Sequence, residues 1–305
     1  MTDSKQIFLV RVGTEQHIGT RDGQEDCVGV SDFLNLKLVT HGGVLGVLAD
    51  GMGGYAAGKL ASETAVSNFI ETYTYKTPTE EIRDAMLRAL FNANDAILRV
   101  PESIEHEGKV GTTLVAAVIH NRQLFWISVG DSRAYLARGD NLVQLTTDHS
   151  YATELKRQVA KHSITQKEAD EHPEREVLTS FVGVPDLTDI DTNIKPLELE
   201  PEDAIILCSD GLYRSLTEDE IFEEITGHPQ EIASALVQKV IEKKNSVQDN
   251  VSVVVLACSL ESDGGNSVEQ DDEWKEIDRT AHMVGVLFVA SAVLGLLYVY
   301  FTFYR

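Results

Sequence analysis

Several short apolar segments, rich in β-branched residues, recur along residues 1–260, and each of them borders an acidic residue or a polar turn. Their length and residue types predict β-strands. The segments 112–119 and 124–129 are joined only by the polar residues His-Asn-Arg-Gln, a short connection that favours antiparallel pairing over β-α-β units. Strands are predicted over residues 44–48, 112–119, 124–129, 204–208 and 251–257.

Three stretches instead have the spacing of helices, residues 56–70, 80–100 and 230–243. In the second of them the apolar side chains fall on one face, and Thr79 stands where it could cap the first turn. Because strands outnumber helices that could connect parallel strands, the sequence predicts an α+β fold with antiparallel sheets.

The segment at residues 282–304 differs from everything before it, because residues 283–304 carry no charged side chain. At about 1.5 Å per residue, a helix of this length reaches roughly 30 Å, the thickness of the hydrocarbon core of a bilayer. A buried core helix is the alternative. Tyrosines near one end and Lys275 and Arg279 before the other favour a transmembrane helix. The predicted organisation is a globular unit over 1–260, an acidic linker over 261–281 and a transmembrane helix over 282–304.

The net charge of −23 argues against nucleic acid as a partner, because binding to a phosphate backbone depends on clustered Lys and Arg. The three cysteines, Cys27, Cys208 and Cys258, lack the paired spacing of a zinc site or of a disulfide framework. Lone cysteines in apolar segments usually pack as small hydrophobic side chains.

Aspartates recur next to the predicted strands, and strand ends at one edge of a sheet converge in space. Carboxylates held that close repel each other unless they are protonated or neutralised, and a hard divalent cation with oxygen ligands does the latter. Magnesium or manganese fits this pattern, whereas the spacing does not support thiolate or imidazole ligation. The aspartates are Asp26, Asp50, Asp131, Asp210 and Asp249.

Taken singly, each of these aspartates has a simpler explanation, because an Asp-Gly pair such as Asp50-Gly51 or Asp210-Gly211 usually marks a turn. Their joint occurrence is harder to explain as turns. After Asp50, more glycines follow than one turn requires, which indicates a close approach of backbone to an ion or an anion.

Seven ordered motifs make the chain resemble the PPM-type, or type 2C, metal-dependent serine/threonine protein phosphatases of bacteria. The likeness extends over about residues 13–257. The motifs are GTRDGQED at 19–26, LADGMGG at 48–54, GTT at 111–113, VGDSR at 129–133, LTTDHS at 145–150, CSDGL at 208–212 and DNVS at 249–252.

The resemblance implies a four-layer α-β-β-α sandwich of two antiparallel sheets, with a centre for two Mn²⁺ or Mg²⁺ ions at one end of the sheets. It implies that Asp50 bridges both ions, that Asp210 and Asp249 complete one site, that the Gly51 carbonyl is a ligand and that Asp26 acts mainly through bound water. Asp131 with Asp210 would hold a third, weaker ion. Glu25 and Asn250 would support these ligands.

The implied reaction is hydrolysis of phosphoserine and phosphothreonine in proteins by a water activated between two metal ions. Arg21 would hold the phosphoryl oxygens through its planar guanidinium, with Asp50 and Asp210 central to catalysis. The family's mobile flap corresponds to about residues 151–176. Three positions depart from the family. Met52 stands where many eukaryotic members have a His proposed as general acid, Gln24 replaces the Asn that commonly precedes Glu-Asp, and Ser180 stands where bacterial members usually have Arg.

The expected partners are phosphoproteins, those of a cognate Ser/Thr kinase, and a membrane reached through residues 282–304. The expected location is tail-anchored in a membrane, with the catalytic domain in the cytoplasm. Two other functions remain open from sequence: an inactive module of the same fold that binds phosphoproteins, and a metal-dependent phosphohydrolase of small molecules.

Overall fold

The computed structural model describes residues 6–100 and 110–262. Residues Phe8–Leu260 form one compact unit, and a second unit contains, of the described residues, only the outer ends of the first and last strands. The strands are β1 (Gln6–His17), β2 (Asp26–Val30), β3 (Val44–Met52), β4 (Gly111–Thr112), β5 (Leu114–His120), β6 (Gln123–Val129), β7 (Arg133–Arg138), β8 (Asn141–Gln144), β9 (Asp191–Thr192), β10 (Leu197–Glu198), β11 (Ala204–Cys208) and β12 (Val251–Ser262). The helices are α1 (Leu36–Gly42), α2 (Tyr55–Thr74), α3 (Ile82–Leu98), α4 (Tyr151–Ala160), α5 (Gln166–Asp170), α6 (Asp210–Tyr213), α7 (Glu218–Glu223) and α8 (Pro229–Glu242).

Two sheets form the centre of the fold. One has the strand order β1-β12-β11-β7-β8, and the other has the order β10-β6-β5-β3-β2, with β4 added beside β3 and β9 beside β6. The pairs of β3 with β2 and with β5, of β5 with β6, and of β11 with β12 and with β7 are antiparallel. The prediction of two antiparallel sheets flanked by helices is therefore confirmed for the described residues.

Three hydrophobic clusters separate the four layers. The first lies between α2, α3 and one face of the β3-containing sheet, the second between α6, α7, α8 and the outer face of the β12-containing sheet, and the third between the two sheets. Strand β3 shows the alternation that produces this arrangement, since Leu45, Val47 and Ala49 face the helices. Val44 and Leu48 face the opposite sheet.

The hairpin between β5 and β6 confirms the short connection predicted from sequence. His120 pairs with Gln123, and the two residues between them, Asn121 and Arg122, have φ values of 50° and 63°. Two successive positive φ values are typical of the type I′ turn, whose twist matches that of the flanking strands.

Some boundaries differ from the predicted ones. The predicted strand at 112–119 is two strands, because β4 pairs with the end of β3 whereas β5 pairs with its first part. Helix α3 begins after Glu81 rather than after Thr79, whose hydroxyl contacts Thr77. The prediction that Thr79 caps this helix was therefore wrong, because the N-cap position is two residues later, at Glu81.

The structure contains no helix long and apolar enough to cross a membrane within residues 6–100 and 110–262. The predicted linker and the transmembrane helix over 282–304 lie outside the described residues, as do Lys275 and Arg279.

Candidate metal centre

Asp26 and Asp50 are brought together by strand register, since Asp26 opens β2 directly opposite Asp50 on β3. The Asp26 side chain is buried, and its Oδ2 accepts hydrogen bonds from the hydroxyls of Ser209 and Ser252, both at 2.7 Å. Its Oδ1 is buried without any hydrogen-bond partner. A buried carboxylate oxygen left without a partner is costly, so this atom is suited to a further ligand such as a water or an ion.

The backbone of Asp50 is held in place by the two threonines of the GTT motif. Its amide donates to Thr113 Oγ1 at 2.9 Å, and its carbonyl accepts from Thr112 Oγ1 and from the Thr113 amide, both at 2.8 Å. Thr113 Oγ1 also contacts Ser132 Oγ at 2.7 Å. These contacts connect the Asp50 motif to the loop that carries Asp131.

Gly51 and Gly58 allow the end of β3 and the start of α2 to touch. A Cβ added to Gly51 would lie 2.0 Å from the carbonyl oxygen of Gly58, and one added to Gly58 would lie 2.1 Å from Glu25 Oε2. Glu25 is itself tied to this strand, since its carbonyl accepts from the Gly51 amide at 3.2 Å. No larger side chain fits at Gly51 without moving the backbone.

Asp210 and Asp131 face the same arginine. Arg214 Nη2 lies 3.1 Å from Asp210 Oδ2 and 3.4 Å from Asp131 Oδ2. Asp131 also accepts from the Tyr213 hydroxyl, at its carbonyl (3.0 Å) and at Oδ2 (3.2 Å). Both carboxylates are largely buried, so an ion pair here is screened less than one on the surface.

Asp249 lies at the mouth of the site, where its Oδ2 pairs with Arg21 Nη2 at 2.5 Å. The next residue, Asn250, makes three hydrogen bonds from its side chain to backbone atoms. Its Oδ1 accepts from the Glu25 amide at 2.7 Å, and its Nδ2 donates to the carbonyls of Ile18 and Gly23 at 2.8 and 3.0 Å. Asn250 therefore fixes the loop that carries Arg21 and Glu25.

The electrostatics show that these carboxylates are crowded. Burial raises the pKa of Asp50 well above its ordinary value, and the negative charges of Asp26, Asp210, Asp131 and Asp249 raise it further. Burial likewise raises the pKa of Asp26 to about 6, against the opposing hydrogen bonds from Ser252 and Ser209. Burial raises the pKa of Asp210 to about 7, although Arg214 opposes this. Such groups need a proton or a cation.

The donor set fits divalent metal ions. It consists of carboxylates with one carbonyl, the oxygen ligands that Mg²⁺ and Mn²⁺ prefer, and it includes the orphaned Asp26 Oδ1. As arranged, no three His, Cys, Asp or Glu side chains among residues 6–100 and 110–262 form a group ready to hold an ion. Three of the predicted ligands pair with arginines instead: Asp249 with Arg21, and Asp210 and Asp131 with Arg214.

The three cysteines are free, and burial raises the pKa of each thiol to about 12. They are therefore protonated at neutral pH and are poor nucleophiles. This agrees with the interpretation of these residues as packed hydrophobic side chains.

Four residues to which the sequence assigned no role also contact the predicted ligands: Ser209, Ser252, Tyr213 and Arg214. Ser209 lies in the CSDGL motif and Ser252 in the DNVS motif, but neither was predicted to hold Asp26. Tyr213 and Arg214 follow the CSDGL motif directly, and the i,i+4 spacing of Asp210 and Arg214 on a helical turn was the signal that could have identified the pair. Ser180, which stands where bacterial members usually have Arg, is buried and donates to the Asp189 carbonyl at 2.9 Å.

A cleft of about 510 Å³ lies where the predicted flap begins. His149, Tyr151, Arg157 and Asp189 are among its lining residues, and none of the predicted metal ligands is. Helices α4 and α5 lie within the predicted flap, which is therefore partly helical.

The sequence profile described as protein phosphatase 2C matches residues 30–244. A serine/threonine phosphatase, stp, of Listeria innocua is 35% identical over 223 residues, which cover 72% of this chain and 86% of the relative. The structure of a serine/threonine phosphatase of S. agalactiae superposes with a TM-score of 0.70 at 27% identity, covering 82% of this chain and 99% of that one. The catalytic domain of the serine/threonine phosphatase PstP, solved in complex with two manganese ions, gives a TM-score of 0.65 at 26% identity, covering 83% and 100%.

The fold, the carboxylate centre and these similarities define one class of protein: the chain belongs to the protein phosphatase 2C family of metal-dependent serine/threonine phosphatases. The predicted enzyme class, a metal-dependent protein serine/threonine phosphatase with Mn²⁺ or Mg²⁺ as cofactor, is confirmed at this level. The profile match begins after Asp26 and ends before Asp249, so the individual ligand assignments remain predictions.

Proposed function

We propose that this chain removes phosphate from phosphoserine and phosphothreonine in proteins at the carboxylate centre, with the phosphoryl group held by Arg21. The observation that carries the proposal is the convergence of Asp26, Asp50, Asp210 and Asp249 at one end of the sheets, with the buried Asp26 Oδ1 left without a partner. Crowded, oxygen-only donors of this kind favour hard divalent cations.

Asp50, Asp210 and Asp249, with the Gly51 carbonyl, are the residues that would hold two ions, and Asp26 would contribute through water. When bound, two divalent ions supply an activated water and neutralise charge on the transferring phosphoryl group. The two serines hold the carboxylate of Asp26, and the two threonines hold the backbone of Asp50. Fixed ligands reduce the reorganisation that the reaction requires.

Arg21 is the residue placed to bind the substrate. Its side chain is 54% exposed and forms an ion pair with Asp249. A guanidinium can make two parallel hydrogen bonds to phosphoryl oxygens, which fixes the phosphate as well as attracting it. Glu25 and Asn250 hold the loop from which Arg21 projects.

Met52 has no proton to give to the departing serine or threonine oxygen. It lies at the end of β3, partly buried and paired with Gly111. Solvent is therefore the proposed source of that proton, which makes the reaction independent of a titrating side chain at position 52.

The test uses the full chain and a phosphothreonine peptide. Phosphate release should require added Mn²⁺ and be lost in Asp210→Asn, while Asp140→Asn, in an exposed turn between β7 and β8, should behave as the unaltered protein. Turnover without metal, or turnover of nucleotides in preference to phosphopeptides, would contradict the proposal. Metal binding without any turnover would favour the phosphoprotein-binding module.

We further propose that residues 282–304 tether the domain to a membrane and place it near phosphoproteins of a cognate Ser/Thr kinase. The support is the uncharged length of residues 283–304 and the acidic character of residues 261–281. A chain ending at residue 260 should move from the membrane to the soluble fraction. An unchanged distribution would contradict the tether.

A further inference from the structure

We infer that the Arg214 guanidinium takes the place of a divalent cation between Asp131 and Asp210 and joins the end of the flap to the metal centre through Glu176, so that the chain holds two ions rather than three. The inference rests on the proposed ligand roles of these aspartates. It concerns an arginine for which the family resemblance supplied no role.

One nitrogen of Arg214 makes all three contacts. Nη2 lies 3.1 Å from Asp210 Oδ2, 3.4 Å from Asp131 Oδ2 and 2.8 Å from Glu176 Oε2. The two aspartates are the ones expected to share the weaker third ion. A single positive group therefore already lies where that ion would bind.

The position of Arg214 follows from the local fold. It caps the C-terminal end of α6, and its amide donates to the Asp210 carbonyl at 2.9 Å. Its neighbour Tyr213 donates to Asp131 and stacks against Arg133, whose guanidinium carbon lies 3.5 Å from the ring centroid. Arg133 is in turn held by Asp148. The turn that presents Arg214 is thus braced from both sides.

Charge explains why the arginine and a third ion exclude each other. Arg214 pairs with both Asp210 and Asp131, and a guanidinium keeps its positive charge over the whole pH range in which proteins are folded. A divalent ion bound by Asp131 and Asp210 would lie beside this positive group and repel it. Either the ion or the guanidinium can occupy the space between the two carboxylates.

Glu176 gives the arrangement a second consequence. Glu176 is the last residue of the predicted flap, 151–176. The next residue, Val177, is bonded to the first residue of the flap, because the Val177 carbonyl accepts from the Tyr151 amide at 2.9 Å. The pair between Arg214 and Glu176 therefore connects the base of the flap to the residue that contacts Asp210. If the Arg214–Glu176 pair is broken, the base of the flap should lose its connection to the metal centre.

The experiment counts ions. The full chain is dialysed against excess Mn²⁺, and protein-bound manganese is measured by elemental analysis for the unaltered protein, Arg214→Gln and Arg214→Lys. We expect two ions for the unaltered protein and for Arg214→Lys, and three for Arg214→Gln. Arg99→Gln, which loses an exposed arginine paired only with Asp95 among the described contacts, is the matched control and should hold two.

Three ions in the unaltered protein, or two in a folded Arg214→Gln, would overturn the inference. If Arg214→Gln does not fold, Asp131→Asn decides the question. Retention of two ions in that variant supports the inference, and loss of one ion overturns it. Fewer than two ions in the unaltered protein would instead refute the proposed metal centre itself. The manganese count therefore distinguishes failure of this inference from failure of the proposed function.

A second readout follows the flap. Glu176→Gln leaves Asp131 and Asp210 unaltered but removes the charge that Arg214 bonds at 2.8 Å. We expect the manganese count to stay at two while backbone amides in 151–176 exchange hydrogen several-fold faster. Unchanged exchange would show that Arg214 does not hold the flap.

Discussion

Replacing Asp26 by Asn should stabilise the metal-free protein while weakening its metal centre. Burial raises the pKa of the Asp26 carboxyl from 3.8 to about 6. The folded state therefore binds this proton more tightly than the unfolded state, so the stabilisation is fully present below pH 3.8 and is lost as the pH rises through about 6. The difference between these values corresponds to about 3 kcal/mol of unfolding free energy at pH 8.

Asn has nearly the same size as Asp and carries no charge, so Asp26→Asn should remove this penalty. It can still accept a hydrogen bond from Ser209 or Ser252. In chelator at pH 8, urea unfolding should therefore give Asp26→Asn an unfolding free energy higher than that of the unaltered protein by up to about 3 kcal/mol. At pH 4 the difference should be nearly absent.

With Mn²⁺ added, this advantage of Asp26→Asn should become much smaller. A ligand present at 100 times its dissociation constant stabilises the folded state by about 2.7 kcal/mol, and Asp26→Asn should gain less than the unaltered protein. A variant that is less stable than the unaltered protein at pH 8 in chelator would refute the reasoning. So would an equal gain from Mn²⁺ in both proteins.

Three further perturbations test separate parts of the structure. Gly51→Ala would place a Cβ 2.0 Å from the Gly58 carbonyl oxygen, so thermal unfolding should show a loss of about 1–3 kcal/mol, and an unaltered melting temperature would contradict that contact. Arg21→Lys keeps the charge but loses the planar fork, so kcat/KM for a phosphopeptide should fall about tenfold, a change of about 1.4 kcal/mol, with stability unchanged. Ser180→Ala loses the hydrogen bond to the Asp189 carbonyl and should cost about 1 kcal/mol of stability; a change in peptide preference without that cost would show a substrate role instead.

The sheets could be predicted because their strands bury both faces and therefore appear as continuous apolar segments. The β5-β6 hairpin was predicted from its short polar connection. The divided strand at 112–119 was not, because nothing in the local pattern shows that Thr112 pairs with Gly51 of a distant strand. Such pairing is set by tertiary contacts rather than by local residue preference.

The carboxylates could be predicted because each lies at or within a few residues of a strand end, and β-sheet register places Asp26 opposite Asp50. The role of Arg214 could not be predicted from the motif, since the residue lies two positions beyond it and its partner Glu176 comes from the flap. The support of Asp26 by Ser209 and Ser252 likewise joins residues far apart in sequence. Long-range hydrogen bonds of this kind leave no periodic signal.

The most direct test of the metal centre is anomalous diffraction from crystals of the protein grown with Mn²⁺. Two manganese peaks should lie beside Asp50, one of them also contacting Asp210 and Asp249, with Arg21 moved away from Asp249. The absence of manganese at Asp50, or manganese bound only elsewhere, would contradict the central claim that these carboxylates form the phosphatase site.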